Sequence, residues 1–187
     1  VAPYERMKLR MLNGTHSLMA YLGVLAGHTF VREAIADPAI LSAARTHLAA
    51  AAATLDPVPG VDPGDYAEAL LARFANPAIH HRTAQIAMDG TQKLPPRIFE
   101  PAAEVLARGG DSTSFALVTA AWMAYTLRPE PLNDPREAEI RAALSGVPRQ
   151  AEDVVAALFA LPGLFPEALR TRQGWTDRVV RHLRRLM

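Results

Sequence analysis

The stretch YERMKLRMLNGTHSLMAYLGVLA (Tyr4–Ala26) has the apolar spacing of one long helix. At about 100° per residue with Lys8 at zero, Met11, Leu12, Leu18, Met19, Leu22 and Leu25 fall within roughly 100° either side. Pro3 suits the first turn, where a missing N–H costs nothing, and Gly27 suits the end. Gly14 is a tolerated weak point, costing ~1 kcal/mol against alanine. The helix is therefore expected from Pro3 to about Ala26. Lys8 lies in the middle of the apolar arc, His16 about 80° round and Asn13 about 140°.

That trio has chemistry to offer. Burial disfavours the charged form of an ammonium, which would lower the Lys8 pKa and suit it to general-base work near neutral pH. The Asn13 amide can donate to an oxygen that gains negative charge. His16 can donate to or accept from a substrate hydroxyl. The same residues also admit structural roles. A lysine on an apolar stripe can snorkel to water, Asn13-Gly14 can break a helix, and a lone histidine can simply be a satisfied core or surface residue.

Outward from this helix, Phe30–Ala36 reads as a short helix. Asp37-Pro38 supplies a cap and a first-turn proline for Pro38–Leu55. DPVPGVDPGD (Asp56–Asp65) is a rigid loop, because its prolines and glycines cannot continue a helix. Helices are expected over Tyr66–Ala75 and, after Asn76-Pro77, over Ala78–Met88. Thr91–Pro96 is expected to be a loop, with Lys93 projecting from irregular backbone. Arg97–Ala107 is amphipathic, and Ser112–Leu127 is apolar on nearly all sides, hence central to a core. A second proline-rich loop, Arg128–Pro135, precedes Arg136–Leu144, Ala151–Leu161, Pro166–Arg172 and Thr176–Leu186. No segment alternates with period two, and no fixed-period repeat is present. The fold class is all-α, a multi-helix single domain over 1–187.

Half the residues are hydrophobic and the formal net charge is +1, so no large field points to nucleic acid or to a membrane surface. Arg178, Arg181, Arg184 and Arg185 lie on an amphipathic segment and read as a solvated face. The absence of cysteine excludes disulfides and thiolate sites and fits a cytoplasmic location. The longest apolar run, Phe115–Leu127, is too short to span a bilayer. The chain opens at Val1 almost directly into a helix and reads as a fragment or a processed form. His80-His81 point about 100° apart on a helix and cannot easily share one ion, so no metal site is expected. Gly109-Gly110-Asp111-Ser112 follows no strand and lacks the dinucleotide spacing, so cofactor-binding residues stay unassigned.

K-x-x-x-x-N-x-x-H, formed by Lys8, Asn13 and His16, resembles the signature of the polyol-specific long-chain dehydrogenases, the mannitol dehydrogenase family. RFANPAIHHRTAQIAMDGTQKLPPR (Arg73–Arg97) resembles that family's downstream segment. The likeness runs over most of the chain and corresponds to the helical C-terminal domain of such enzymes, similar to 6-phosphogluconate dehydrogenase C-terminal-like domains. It implies an N-terminal Rossmann domain of the same polypeptide as partner, NAD or NADP as cofactor, no metal, and a hexitol or hexonate as substrate. The matching ketose or keto-acid is the product, as in mannitol/fructose or mannonate/fructuronate. The fragment alone is expected to be inactive. Lys8, Asn13 and His16 are then catalytic, and Lys93 of D-G-x-x-K contacts the substrate. Gln85 stands where some mannitol dehydrogenases carry a substrate-contacting arginine, and an uncharged amide cannot hold a carboxylate bidentately. The wording QIAMDGTQK is closer to the fructuronate reductases (mannonate oxidoreductases). The alternative is a non-enzymatic all-α interaction module that docks through Arg178–Arg185.

Overall fold

The computed structural model describes residues 2–187, and every regular element among them is helical. The one extended pairing is an isolated antiparallel bridge between Phe30 and Arg82. Contacts divide the chain into two compact units, Val1–Ala87 and Met88–Met187.

The first unit opens as α1 (Ala2–Met7), passes into a π-helical turn, π1 (Lys8–Asn13), and runs on as α2 (Gly14–Ala26). The π turn corrects the uniform α periodicity expected from the sequence. The Gly14 N–H reaches back to Leu9 O, five residues earlier. That bond closes a turn holding one extra residue, so every later side chain is set back by about 100° against α numbering. Lys8 consequently leaves the apolar stripe and is exposed. The cation that goes inside is Arg10, only 3% exposed, whose Nη1 donates to Thr54 O at 3.1 Å.

α2 stops at Gly27, whose φ of 83° is a left-handed conformation that glycine adopts without strain. Against α2 pack α3 (Val31–Ala36), α4 (Pro38–Ala52) and α6 (Thr83–Ala87), with α5 (Pro63–Phe74) on α3 and α4. Asp37 starts α4 by accepting the Ala39 N–H at 2.9 Å, and Asp62 starts α5 by accepting that of Asp65 at 2.9 Å. Gly23 lets α6 approach α2 closely: a Cβ there would lie 2.9 Å from Thr83 Cγ2. The expected helix Ala78–Met88 is thus reduced to Thr83–Ala87. Residues just before it pair instead with the start of α3, Val31 N–H donating to His81 O at 2.9 Å and Thr83 N–H to Thr29 O at 3.0 Å. Backbone groups satisfied by that pairing have no need of a helix.

In the second unit the expected loop Thr91–Pro96 is helical. α7 (Gly90–Leu94), a second π-helical turn, π2 (Pro95–Phe99), and α8 (Glu100–Ala107) form one continuous stretch. Pro95 and Pro96 lack amide hydrogens, and a proline ring in an α-helix collides with the carbonyl four residues back. The wider π turn shifts that carbonyl and accommodates the pair. α9 (Thr113–Thr126) is buried on nearly every side, as its apolar sequence implied. The remaining elements are α10 (Glu137–Leu144), α11 (Ala151–Phe159), α12 (Glu167–Arg170) and α13 (Gln173–Leu186). α13 lays Trp175, Val179, Val180 and Leu183 on the inside and packs along α9. Phe165 joins the core between Phe99 at 4.4 Å and Phe159 at 4.8 Å, ring centre to ring centre. The outer face of α13 carries the arginines, and Arg184 pairs with Glu152 of α11.

Candidate active site

The π1 turn decides how the signature residues are presented. Asn13 follows Lys8 by five residues, one π turn along the same side of the helix. The extra residue also brings His16 round from about 80° to about 20° from Lys8. The three polar groups therefore share one helical face that includes little of the apolar stripe. Lys8 is exposed there, with Asn13 and His16 half-buried. The premise that apolar neighbours on its own helix desolvate Lys8 does not hold, because the π turn rotates them away.

His16 is the member with the most enclosed surroundings. Its ring lies 4.8 Å from Phe74 of α5 and 5.7 Å, edge-on, from His81. Val31, Arg73 and Ile79 complete a small concavity around it. His81, set aside at the sequence level as a poor metal ligand, is thus a neighbour of the signature. No sequence spacing links position 16 to 81; the Phe30–Arg82 bridge makes the connection. Among the described residues no group of three or more His, Asp or Glu side chains converges as metal ligands do.

Gln85 is exposed on α6. The Tyr21 hydroxyl donates to Ala87 O at 3.1 Å and ties the end of α6 to α2. The Thr83 hydroxyl donates to His28 O at 2.7 Å and fixes its beginning. Gln85 is held by these two anchors on the unit that carries the trio.

Lys93 belongs to the second unit and lies on α7 rather than on irregular backbone. Its side chain is 26% exposed, and its Nζ stands 3.9 Å from Asp89 Oδ2. Burial first, and the nearby Arg97 charge second, hold its ammonium below the usual lysine range, with Asp89 and Asp134 opposing.

α7 owes its position to the proline-rich loop Arg128–Pro135. Asp134 accepts the Thr91 N–H at 2.8 Å and the Thr91 hydroxyl at 2.5 Å, and Asn133 O accepts the Asp89 N–H at 3.1 Å. The loop is braced in turn by Arg141, which donates to Thr126 O, Arg128 O and Glu130 O at 2.9, 2.7 and 2.7 Å. Asp134 thus caps the lysine-bearing helix from forty-odd residues away, as its 43-residue separation from Thr91 shows. Sequence reading missed it because a cap supplied by another segment has no local signature. Asp134→Ala is expected to destabilise the second unit by ~0.5–2 kcal/mol, the usual cost of losing a helix cap. Faster amide hydrogen exchange at Thr91 and a lower denaturation midpoint are the readouts.

Comparison with known proteins supplies a context for this geometry. The family model described as the mannitol dehydrogenase C-terminal domain matches residues 1–187. The D-mannonate oxidoreductase of Escherichia coli (strain K12) is 42% identical over 176 residues, a match that covers 90% of this chain and 36% of that protein. A mannitol 2-dehydrogenase of Phaeosphaeria nodorum (strain SN15) is 36% identical over 149 residues, covering 76% of this chain and 26% of the relative. Among solved structures, the Pseudomonas fluorescens mannitol 2-dehydrogenase ternary complex with NAD and D-mannitol superposes with a TM-score of 0.90 at 30% identity. That match covers 98% of this chain and 38% of the other. The chain spans about a third of the length of the curated relatives it matches. A full-length family match together with these relatives places the chain in the mannitol dehydrogenase C-terminal domain family.

Proposed function

We propose that residues 1–187 serve as the substrate domain of a nicotinamide-dependent oxidoreductase acting on a secondary alcohol of a hexitol or hexonate. The observation that carries this reading is the π turn, which gathers a base, an amide donor and an imidazole onto one helical face. Three groups of those types are what alcohol oxidation asks of a protein. Lys8, as the free amine, takes the hydroxyl proton. Asn13 donates an N–H to the oxygen while it carries alkoxide charge. His16, steadied by Phe74 and His81, orients that oxygen. When bound, the oxidised nicotinamide accepts the hydride released from the carbinol carbon. Lys93 and Gln85 are assigned to the rest of the substrate, and no metal is required.

NAD is favoured as cofactor, since the Pseudomonas fluorescens relative is a complex with NAD and D-mannitol. An N-terminal dinucleotide-binding domain of the same polypeptide is the expected partner, in keeping with relatives about three times as long as this chain. The rival reading, a non-enzymatic helical module, has no observation in its favour; the arginines of α13 form a solvated outer face. Among the described residues no helix is long and apolar enough to cross a membrane.

The full-length protein is expected to reduce NAD with D-mannonate or D-mannitol as donor, while residues 1–187 alone bind no NADH in a calorimetric titration. A full-length protein that oxidises neither alcohol removes the assignment. Micromolar NADH binding by residues 1–187 contradicts the division of labour between the domains.

A further inference from the structure

The π1 turn leaves one polar group stranded. In an α-helix a threonine hydroxyl can bond the carbonyl four residues back, as Thr46 does to Ser42 O at 3.0 Å and Thr119 to Phe115 O at 2.9 Å. The corresponding acceptor for Thr15 is Met11 O, but the Gly14 N–H engages that carbonyl as well as Leu9 O. Thr15 Oγ1 is left fully buried with no hydrogen-bond partner among the described residues. A buried hydroxyl in that condition is unfavourable. Local sequence does not compensate for it, since an α turn is the ordinary choice for these residue types. The π register is therefore held from outside the turn.

Arg10 makes a contact of the required kind. It lies inside π1, is 3% exposed, and its Nη1 donates to Thr54 O at 3.1 Å. Thr54 stands just past the end of α4 and is itself buried, its N–H and hydroxyl both turned onto Ala51 O at 3.0 and 2.6 Å. The guanidinium thus sits at the C-terminal end of α4, where orphan carbonyls and the helix dipole both favour a cation. α2 is fixed by its packing against α3, α4 and α6. If the turn closed in the α register, the residues ahead of it would rotate by about 100°. Arg10 would swing off the end of α4, and a buried guanidinium parted from its acceptor is strongly unfavourable. The same rotation would carry Lys8 from the open face to the side of Leu18 and Met19, both fully buried.

We propose that Arg10 is a positioning residue: anchored on Thr54, it locks the π register and so keeps Lys8 and Asn13 on the open face beside His16. The catalytic consequence rests on the oxidoreductase reading above, whereas the register can be measured without any activity.

The test uses the full-length protein and Arg10→Met, which removes the cation and keeps an unbranched stem suited to a helix. The kcat for alcohol oxidation should fall about 100-fold, the usual loss when a reacting group is displaced by ~1 Å. The NAD dissociation constant should not change. Footprinting with an amine-acylating reagent, read by mass spectrometry, should show Lys8 labelled in wild type and protected in the variant. Arg10→Lys, which keeps the charge but not the fork, should fall between the two in both kcat and labelling. It carries the test if Arg10→Met does not fold, and there wild-type values for both overturn the proposal. A folded Arg10→Met that melts earlier, yet keeps wild-type kcat and Lys8 labelling, makes Arg10 a packing residue only and overturns it too. A wild type without dehydrogenase activity sinks the oxidoreductase reading instead, and Lys8 labelling then decides the register by itself.

Discussion

Replacing Lys8 by alanine in the full-length enzyme is expected to lower kcat for alcohol oxidation by ~10²–10⁴, the usual contribution of a general base. Folding stability should stay within about 0.5 kcal/mol of wild type. Both expectations come from the same feature. Lys8 is exposed on its helix, so its side chain supports no packing that the substitution removes. Alanine is also a good helix former, so the π turn loses no local propensity. The NAD dissociation constant should change little, because the role proposed for the amine is toward the substrate oxygen. Steady-state kinetics with a thermal unfolding curve separate these claims. Wild-type kcat in Lys8→Ala would leave Lys8 as a solvated helix residue, and the base would have to be sought elsewhere, with Lys93 the first candidate because its ammonium is already held below the usual range.

The all-α class was legible because helical spacing, Pro and Gly punctuation, and the lack of period-two alternation all agree along the chain. Ser112–Leu127 and the amphipathic C-terminal helix are the clearest cases, and both are found within a few residues of their expected limits. The π turns were not legible. Nothing in KLRMLN requires a five-residue turn, and an angular analysis that assumes an α-helix places Lys8 among leucines and methionines. The missing 100° explains why the trio was expected at the border of a buried stripe and is found on an open face. DGTQKLPPR failed for a related reason. A double proline reads as a break, yet π2 absorbs it, and Asp134 starts the helix before it. Ala78–Arg82 failed because tertiary pairing with the start of α3 outweighed local helix propensity. The identities of the candidate site residues were thus readable from motif likeness, while their exposure and neighbours depend on backbone geometry that no spacing rule carries.

Asn13→Ala should show a different kinetic pattern from the general-base variant. An amide that stabilises alkoxide charge acts mainly in the transition state, so kcat and kcat/KM should fall together, by ~10²–10³. Asn13 closes the π turn, and its carbonyl accepts the Ser17 hydroxyl at 3.2 Å, a bond that a side-chain substitution leaves in place. Since alanine has the higher helix propensity, the variant should be as stable as wild type or slightly more so. Loss of activity without loss of stability is the signature expected of a residue kept for chemistry. Asn13→Asp sharpens the test, because a carboxylate beside the developing alkoxide replaces a donor with a like charge and should be slower than alanine. If Asn13→Ala instead raises KM and leaves kcat intact, the amide contacts the substrate equally in ground and transition states. If both constants stay at wild-type values, the π turn presents Lys8 and His16 to the substrate without it.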